Sequence, residues 1–180
     1  MKRMSRAAVT SMAWAMLVLP VAFVLGGCVR SSAASAHGPA PELVGIQGWL
    51  NSPPQSIETL RGHVVLVEFW TRNCIHCRQA LEHTVRWHRR YKDRGLVVIG
   101  IHTPETELET DVQGVQEALR EQGITYPVAL DHRYATWDAY GNQSWPACYL
   151  INRDGDVVRK HVGEGDYAAT EAAIVDLLDE

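Results

Sequence analysis

The segment Cys74-Ile75-His76-Cys77 places two thiols three positions apart. Upstream, His63–Trp70 is a near-continuous apolar, β-branched run, the pattern of a strand covered on both faces. Downstream, Cys77, Ala80, Leu81, Thr84, Val85, His88 and Tyr91 recur at helical spacing. The pair therefore sits where a buried strand gives way to a helix, a context in which Cys-x-x-Cys reads as redox-active. Amide groups at the helix start point at Cys74 and favour its thiolate, the reactive species. Cys77 lies one turn further in, close enough to form a disulfide or to resolve a mixed one. Cys74 is the expected attacker, because the first cysteine of such a pair is usually the exposed one.

Other uses of the pair are weaker. A c-type haem site needs His directly after the second cysteine, where Arg78 stands. A four-cysteine zinc site lacks its second pair. Zinc or copper held by Cys74, Cys77 and His76 or another histidine would use the same thiolates and stays open as a rival. A purely structural disulfide across so short a loop would contribute little. The other histidines (His63, His83, His88, His102, His132 and His161) have no ligand-like spacing and are expected at the surface or on helix faces.

Two cysteines remain, Cys28 and Cys148, of four in 180 residues. That is too few for a disulfide-stapled miniprotein. A hydrophobic fraction of 46% and a charged fraction of 21% are ordinary for a globular domain. The net charge of -4 argues against a nucleic-acid binder that relies on phosphate neutralisation. Cys28 closes a leader: Lys2, Arg3 and Arg6, then the uncharged stretch Ala7–Leu25. Basic first and apolar second is the layout of a secretory signal. Its end, Leu25-Gly26-Gly27-Cys28, resembles the bacterial lipoprotein box, which implies cleavage after Gly27 and lipidation of Cys28. An uncleaved membrane anchor is the alternative, and either form exports the rest of the chain. Removing residues 1–27 leaves 14 basic and 21 acidic side chains, a net of -7, so attachment rests on the lipid. Residues 28–41 then form a lipidated N-terminus and a small, polar, Pro-bearing tether, and residues 42–180 the folded domain.

Within that domain, Leu96–His102 is a second buried strand, and Arg94-Gly95 ends the helix before it. Strand, helix and strand make a βαβ unit. Helical stretches are expected at Thr110–Gln122, Tyr134–Tyr140 and Asp166–Leu178. The last has Ala169, Ala172, Ala173, Val175 and Leu177 for its inner face. Tyr126–Leu130 reads as a short strand, and Ala147–Ile151 and Val157–Val162 as a hairpin around Arg153-Asp154-Gly155-Asp156. Gly48–Asn51 is expected as an edge strand, and Ser56–Leu60 as a short helix begun by a serine cap.

Several segments in order carry a family resemblance. Val65–Cys77 looks like a thioredoxin active-site strand and helix. Gly95–Glu105, Ile124–Val128, Trp145–Ile151 and Gly163–Tyr167 are similar to thioredoxin-like domains of the TlpA and DipZ type. The resemblance implies an α/β fold, a thioredoxin-like three-layer α/β/α sandwich with an N-terminal extension and a central helical insertion. It implies thiol–disulfide exchange on exported proteins. No organic cofactor is needed beyond the Cys74–Cys77 disulfide, and no metal is assigned. Pro146 matches the proline that is cis in such folds, where Trp145 and Pro146 expose backbone to an extended substrate. Glu68 matches the buried acidic residue that takes a proton from Cys77. His76 replaces the usual proline and resembles the strongly oxidising periplasmic type, so with Ile75 and Trp70 it is expected to tune the pair. Glu82 replaces a helix-kinking proline and suggests a straighter helix, while Arg72 and Asn73 replace aromatic and small residues. Cys148 is expected inside the packed layers as an inert thiol.

The resulting expectation is an envelope lipoprotein, membrane-anchored and facing the periplasm or extracytoplasmic side. Its partners would be exported protein thiols and disulfides and a membrane or periplasmic redox partner. A slight lean towards a reductant, as in cytochrome maturation, rests on family analogy alone. A copper or zinc carrier and a non-catalytic peptide-binding adaptor are the alternatives.

Overall fold

The computed structural model describes residues 37–180. The leader, Cys28 and most of the expected tether lie outside the described residues. The strands are β1 (Gly48–Leu50), β2 (Val64–Trp70), β3 (Leu96–His102), β4 (Val128–Leu130), β5 (Ala147–Ile151) and β6 (Val157–Val162). The helices are α1 (Ile75–Tyr91), α2 (Val112–Gln122), α3 (Ala135–Ala139) and α4 (Tyr167–Asp179). The sheet runs β1-β4-β3-β2-β5-β6. β2 is central, parallel to β3 and antiparallel to β5. β1 covers one edge, antiparallel to β4, and β6 the other, antiparallel to β5.

The continuous apolar run of β2 follows from this placement, since all seven of its residues are buried. Alternation sends Leu66 and Trp70 to one face and Val65, Val67 and Phe69 to the other. On the first face, α1, α2 and α4 bury Leu81, Val115, Leu119 and Ile174 against the sheet. On the second, α3 and a 3-10 turn at Glu58–Leu60 bury Trp137 and Leu60. Phe69 anchors that layer, with edge-on contacts to the rings of Trp137, Tyr140 and Tyr149 at 5.8, 5.3 and 5.7 Å. Each such ring buried stabilises the fold by roughly 1.5–3 kcal/mol before entropy is counted.

α1 runs unbroken through Glu82 over all 17 of its residues, as the missing proline suggests. His88, Arg89 and Arg90 in its last turn complement the helix dipole. Gly95, at φ +104°, ends the turn that follows, in a region closed to most side chains. Ser56 caps the 3-10 turn by accepting a 3.1 Å bond from the Thr59 amide.

The structure corrects three expectations. First, the inner face of α4 is shifted: Ala173, Val175 and Leu177 pack against the core as expected, but Ala169 and Ala172 are exposed, and Thr170 and Ile174 are the buried residues. Alanine gives almost no apolar contrast around a helix, so Ile174 and the bond from Arg159 Nε to Thr170 Oγ1 (3.2 Å) set its rotation. Second, ordered pairing begins at Gly38, upstream of Glu42. Val157 and Ala40 amides donate to the Gly38 and Gly155 carbonyls, and Pro39 bridges to Asp156. Backbone hydrogen bonds need no large side chain, so composition missed this segment. Third, His102 is not on the surface. It ends β3 fully buried against the Trp70 ring at 5.0 Å, and desolvation pushes its imidazole down to about 3.

Candidate active site

β2 ends at Trp70, and the chain turns through Thr71, Arg72 and Asn73 into α1. Cys74 is the N-cap of that helix, and its Sγ accepts from the Cys77 amide at 3.1 Å. A sulfur at this position receives one of the orphan donors of the first turn together with the positive end of the dipole. Cys74 is half-buried and Cys77 fully buried. The two are joined as a disulfide with Cα atoms 5.2 Å apart. The accessible sulfur is thus the one that the helix end serves.

Glu68 shares a face with Leu66 and Trp70, below α1, and is 2% exposed. Burial pushes its carboxyl up from 4.5 to about 7, and a hydrogen bond with Thr84 pulls weakly the other way. Its Oε2 has no hydrogen-bond partner among the described residues. Thr84 lies seven positions after Cys77, so the two project from one face of α1. A carboxyl group raised to about 7 is therefore buried under the face of α1 that also carries Cys77, nearer to Thr84.

The Trp145–Pro146 bond is cis. Pro146 is buried, and its carbonyl accepts from the Gly163 amide at 2.8 Å. Trp145 is half-buried, with its ring 4.3 Å from that of Trp137. From the same β6–α4 loop, Glu164 hydrogen-bonds His76 Nδ1. The proline loop and the cysteine helix are therefore both fastened to one short segment. An imidazolium at His76 would be offset by the Glu164 carboxylate beside it, which weakens any pull on the Cys74 sulfur. Ile75 is 58% exposed, an apolar side chain left in solvent next to Cys74. Trp70 does not reach the surface of the site and packs in the core against His102.

The pattern around the cysteines did not reveal Glu109. This side chain, 1% exposed, comes from the insertion between β3 and β4. It accepts from Thr71 Oγ1 (2.7 Å), Asn73 N (3.3 Å), Glu105 N (2.6 Å) and Thr106 N (3.3 Å). Desolvation alone would raise its pKa, but these bonds outweigh it and hold the carboxyl below its ordinary value. Thr106 and Glu109 also form a capping box, a spacing visible in the sequence that marks a helix start but not the reach to Thr71. Glu109→Ala is expected to cost roughly 1–3 kcal/mol for each buried donor left without an acceptor. Urea denaturation checks this, together with slower exchange from the loosened 71–73 loop. Because the carboxyl is held low, its contribution is present above the ordinary carboxylate range. It is lost as pH falls through the lowered value.

Cys148 is the free cysteine among the described residues, and burial and the nearby Glu68 push its thiol up to about 12. It is therefore an inert neutral thiol at working pH. Among the described residues no group of three or more His, Cys, Asp or Glu side chains is placed to hold a metal ion.

A sheet of this order that presents a disulfide from a helix N-terminus defines a thioredoxin-like thiol–disulfide oxidoreductase domain. The chain belongs to the Redoxin family, matching it over residues 38–178. Protein DipZ of Mycobacterium tuberculosis is 49% identical over 146 residues, 79% of this chain and 21% of DipZ. The chain thus spans about a fifth of that relative's length. Thiol-disulfide oxidoreductase YkuV of Bacillus subtilis is 28% identical over 142 residues, 79% of this chain and 95% of YkuV. The solution structure of a thioredoxin-like protein in the oxidised form superposes with a TM-score of 0.72 at 29% identity, covering 79% of this chain and 96% of that one.

Proposed function

We propose that the whole chain is a membrane-anchored lipoprotein that exchanges thiols and disulfides with exported proteins. The reading rests chiefly on the placement of Cys74 as N-cap of α1, half-buried, with Cys77 buried one turn behind it. The Cys74 thiolate attacks a substrate disulfide and forms a mixed disulfide. Glu68 takes the proton from Cys77, whose sulfur then attacks Cys74 and releases reduced substrate. The reverse sequence oxidises a dithiol. The backbone flanking the cis Trp145–Pro146 bond, tied through Gly163 to the loop that holds His76, would offer an extended substrate groups to pair with. Ile75 adds an apolar contact.

The basic-then-apolar leader and the Leu25–Cys28 box support cleavage after Gly27 and lipidation of Cys28. Residues 28–37 then tether the domain to the outer face of a membrane. The physiological direction is reducing, because Glu164 engages His76 and limits the oxidising influence of a histidine between the cysteines. Equilibration with glutathione or dithiothreitol measures the Cys74–Cys77 potential. A value near about -270 mV supports the reductant, and one near about -120 mV overturns that direction in favour of an oxidant.

A further inference from the structure

Glu68 is closed off from solvent, yet in the proposed mechanism it gains one proton per substrate reduced and must lose it again. The sheet register supplies a route. Glu68 of β2 lies opposite Cys148 of β5, and Cys148 lies opposite His161 of β6. Directly opposed residues project to the same face, so the three side chains form a row. The row borders a pocket of about 20 Å³ that Thr84 of α1 and Tyr167 and Thr170 of α4 also line. That volume accommodates one water. Four polar atoms of its lining residues lack a hydrogen-bond partner among the described residues: Glu68 Oε2, Trp87 Nε1, Tyr167 Oη and His161 Nε2. A bridging water needs two to four such partners.

His161 has its other nitrogen on the far side. Its side chain is 22% exposed, and Nδ1 lies 4.0 Å from Oδ2 of Asp166, whose side chain is 51% exposed. An imidazole can accept a proton at one ring nitrogen and release one from the other. The ring therefore spans the wall between the cavity and the solvent.

We propose that His161 is the port through which Glu68 exchanges its proton with solvent, by way of one water in this cavity. The inference rests on the proposed role of Glu68. In the reducing direction the Cys77 S–H bond breaks and its proton goes to the Glu68 carboxylate. The Cys77–Cys74 sulfur bond forms, and the bond from Cys74 to the substrate sulfur breaks, releasing a substrate thiolate. The Glu68 proton passes over the water to His161 Nε2, and Nδ1 releases its proton on the Asp166 side. One proton reaches solvent and no oxidant is consumed beyond the substrate disulfide. Cys148 stays a neutral thiol and lines the route without taking part.

The surrounding charges fit this traffic. Glu68 faces Thr84, Tyr126 and Cys148. His161 faces Cys148, Asp166 and Tyr167, with Arg159 held on the Asp166 carboxylate. Tyr167 is stacked by the His83 ring of α1 at 3.7 Å, which holds the hydroxyl-bearing ring in place.

The test follows oxidation of the reduced full chain by oxidised glutathione in a single turnover, using tryptophan fluorescence. His161→Gln is expected to slow the step in which Cys77 resolves the mixed disulfide by about tenfold. That is less than the ~10²–10⁴ supplied by a group that transfers the proton directly. His161→Ala is expected to be equally slow and to recover with added imidazole, while the reduction potential and melting midpoint stay at wild-type values. Wild-type speed in His161→Gln, with Glu68→Gln slow, overturns the port and leaves Glu68 as the base. Wild-type speed in both variants overturns the Glu68 reading itself. A slow His161→Ala that melts early and ignores imidazole assigns His161 to packing and also overturns the port.

Discussion

Cys74→Ser leaves only the uncatalysed rate of disulfide reduction, whereas Cys77→Ser still attacks and then stalls as a mixed disulfide. The asymmetry follows from exposure: Cys74 is half-buried at the helix end, while Cys77 is fully enclosed and reaches only its neighbour. An insulin-reduction assay reads the first variant, and intact-mass spectrometry the trapped adduct of the second. Both proteins stay folded, because losing so short a disulfide loop costs about 2 kcal/mol in the chain-entropy account. Full activity in Cys74→Ser would remove the redox reading altogether. Adducts accumulating on Cys74→Ser rather than on Cys77→Ser would reverse the two roles.

Glu68→Gln slows resolution of the mixed disulfide by about 10²-fold, the low end of what a positioned base supplies. The same change makes the oxidised protein more stable at alkaline pH. The folded-state value near 7 lies above the ordinary 4.5, so the folded protein binds the proton more tightly than the unfolded chain. The stability linked to that proton is fully present below about 4.5 and is lost as pH rises through 7, a swing of about 3 kcal/mol. Glutamine carries no such proton, so the urea midpoint of Glu68→Gln rises relative to the wild type from pH 5 to pH 8, while the opposite slope from the buried His102 is common to both proteins. A difference between variant and wild type that stays constant over this range would show that Glu68 is not buried as an acid.

The strands were the most legible part of the sequence, because burial on both faces leaves an uninterrupted apolar run. β3 and β5 begin and end where that pattern does, and β6 where the hairpin partner of β5 is expected. Glu68 stood out for the same reason, as one carboxyl in an otherwise apolar strand. The cysteines and Pro146 stood out from local spacing and order, and the structure places Cys74 at the start of α1 and makes the Trp145–Pro146 bond cis. What stayed hidden depends on partners distant in sequence. Glu109 reaches Thr71 across 38 positions, and His76 meets Glu164 across 88. His161 looks like any strand histidine until β5 and β6 are set in register beside Glu68. α4 misled in the opposite way, because an alanine-rich helix has several faces of nearly equal hydrophobicity.

The pairing of residues 38–40 with the β5–β6 turn has a mechanical consequence. β5 is antiparallel to β2, with Ala147 beside Phe69 at the disulfide end and Ile151 beside Val65 at the other. The turn that receives Pro39 follows Ile151, so the chain enters at the pole away from the cysteines, about 20 Å down the strands. Force applied through Gly38 loads the edge hairpin and leaves α1 and the proline loop unstrained. In the proposed lipoprotein, the anchor would therefore join the domain at the end opposite the disulfide.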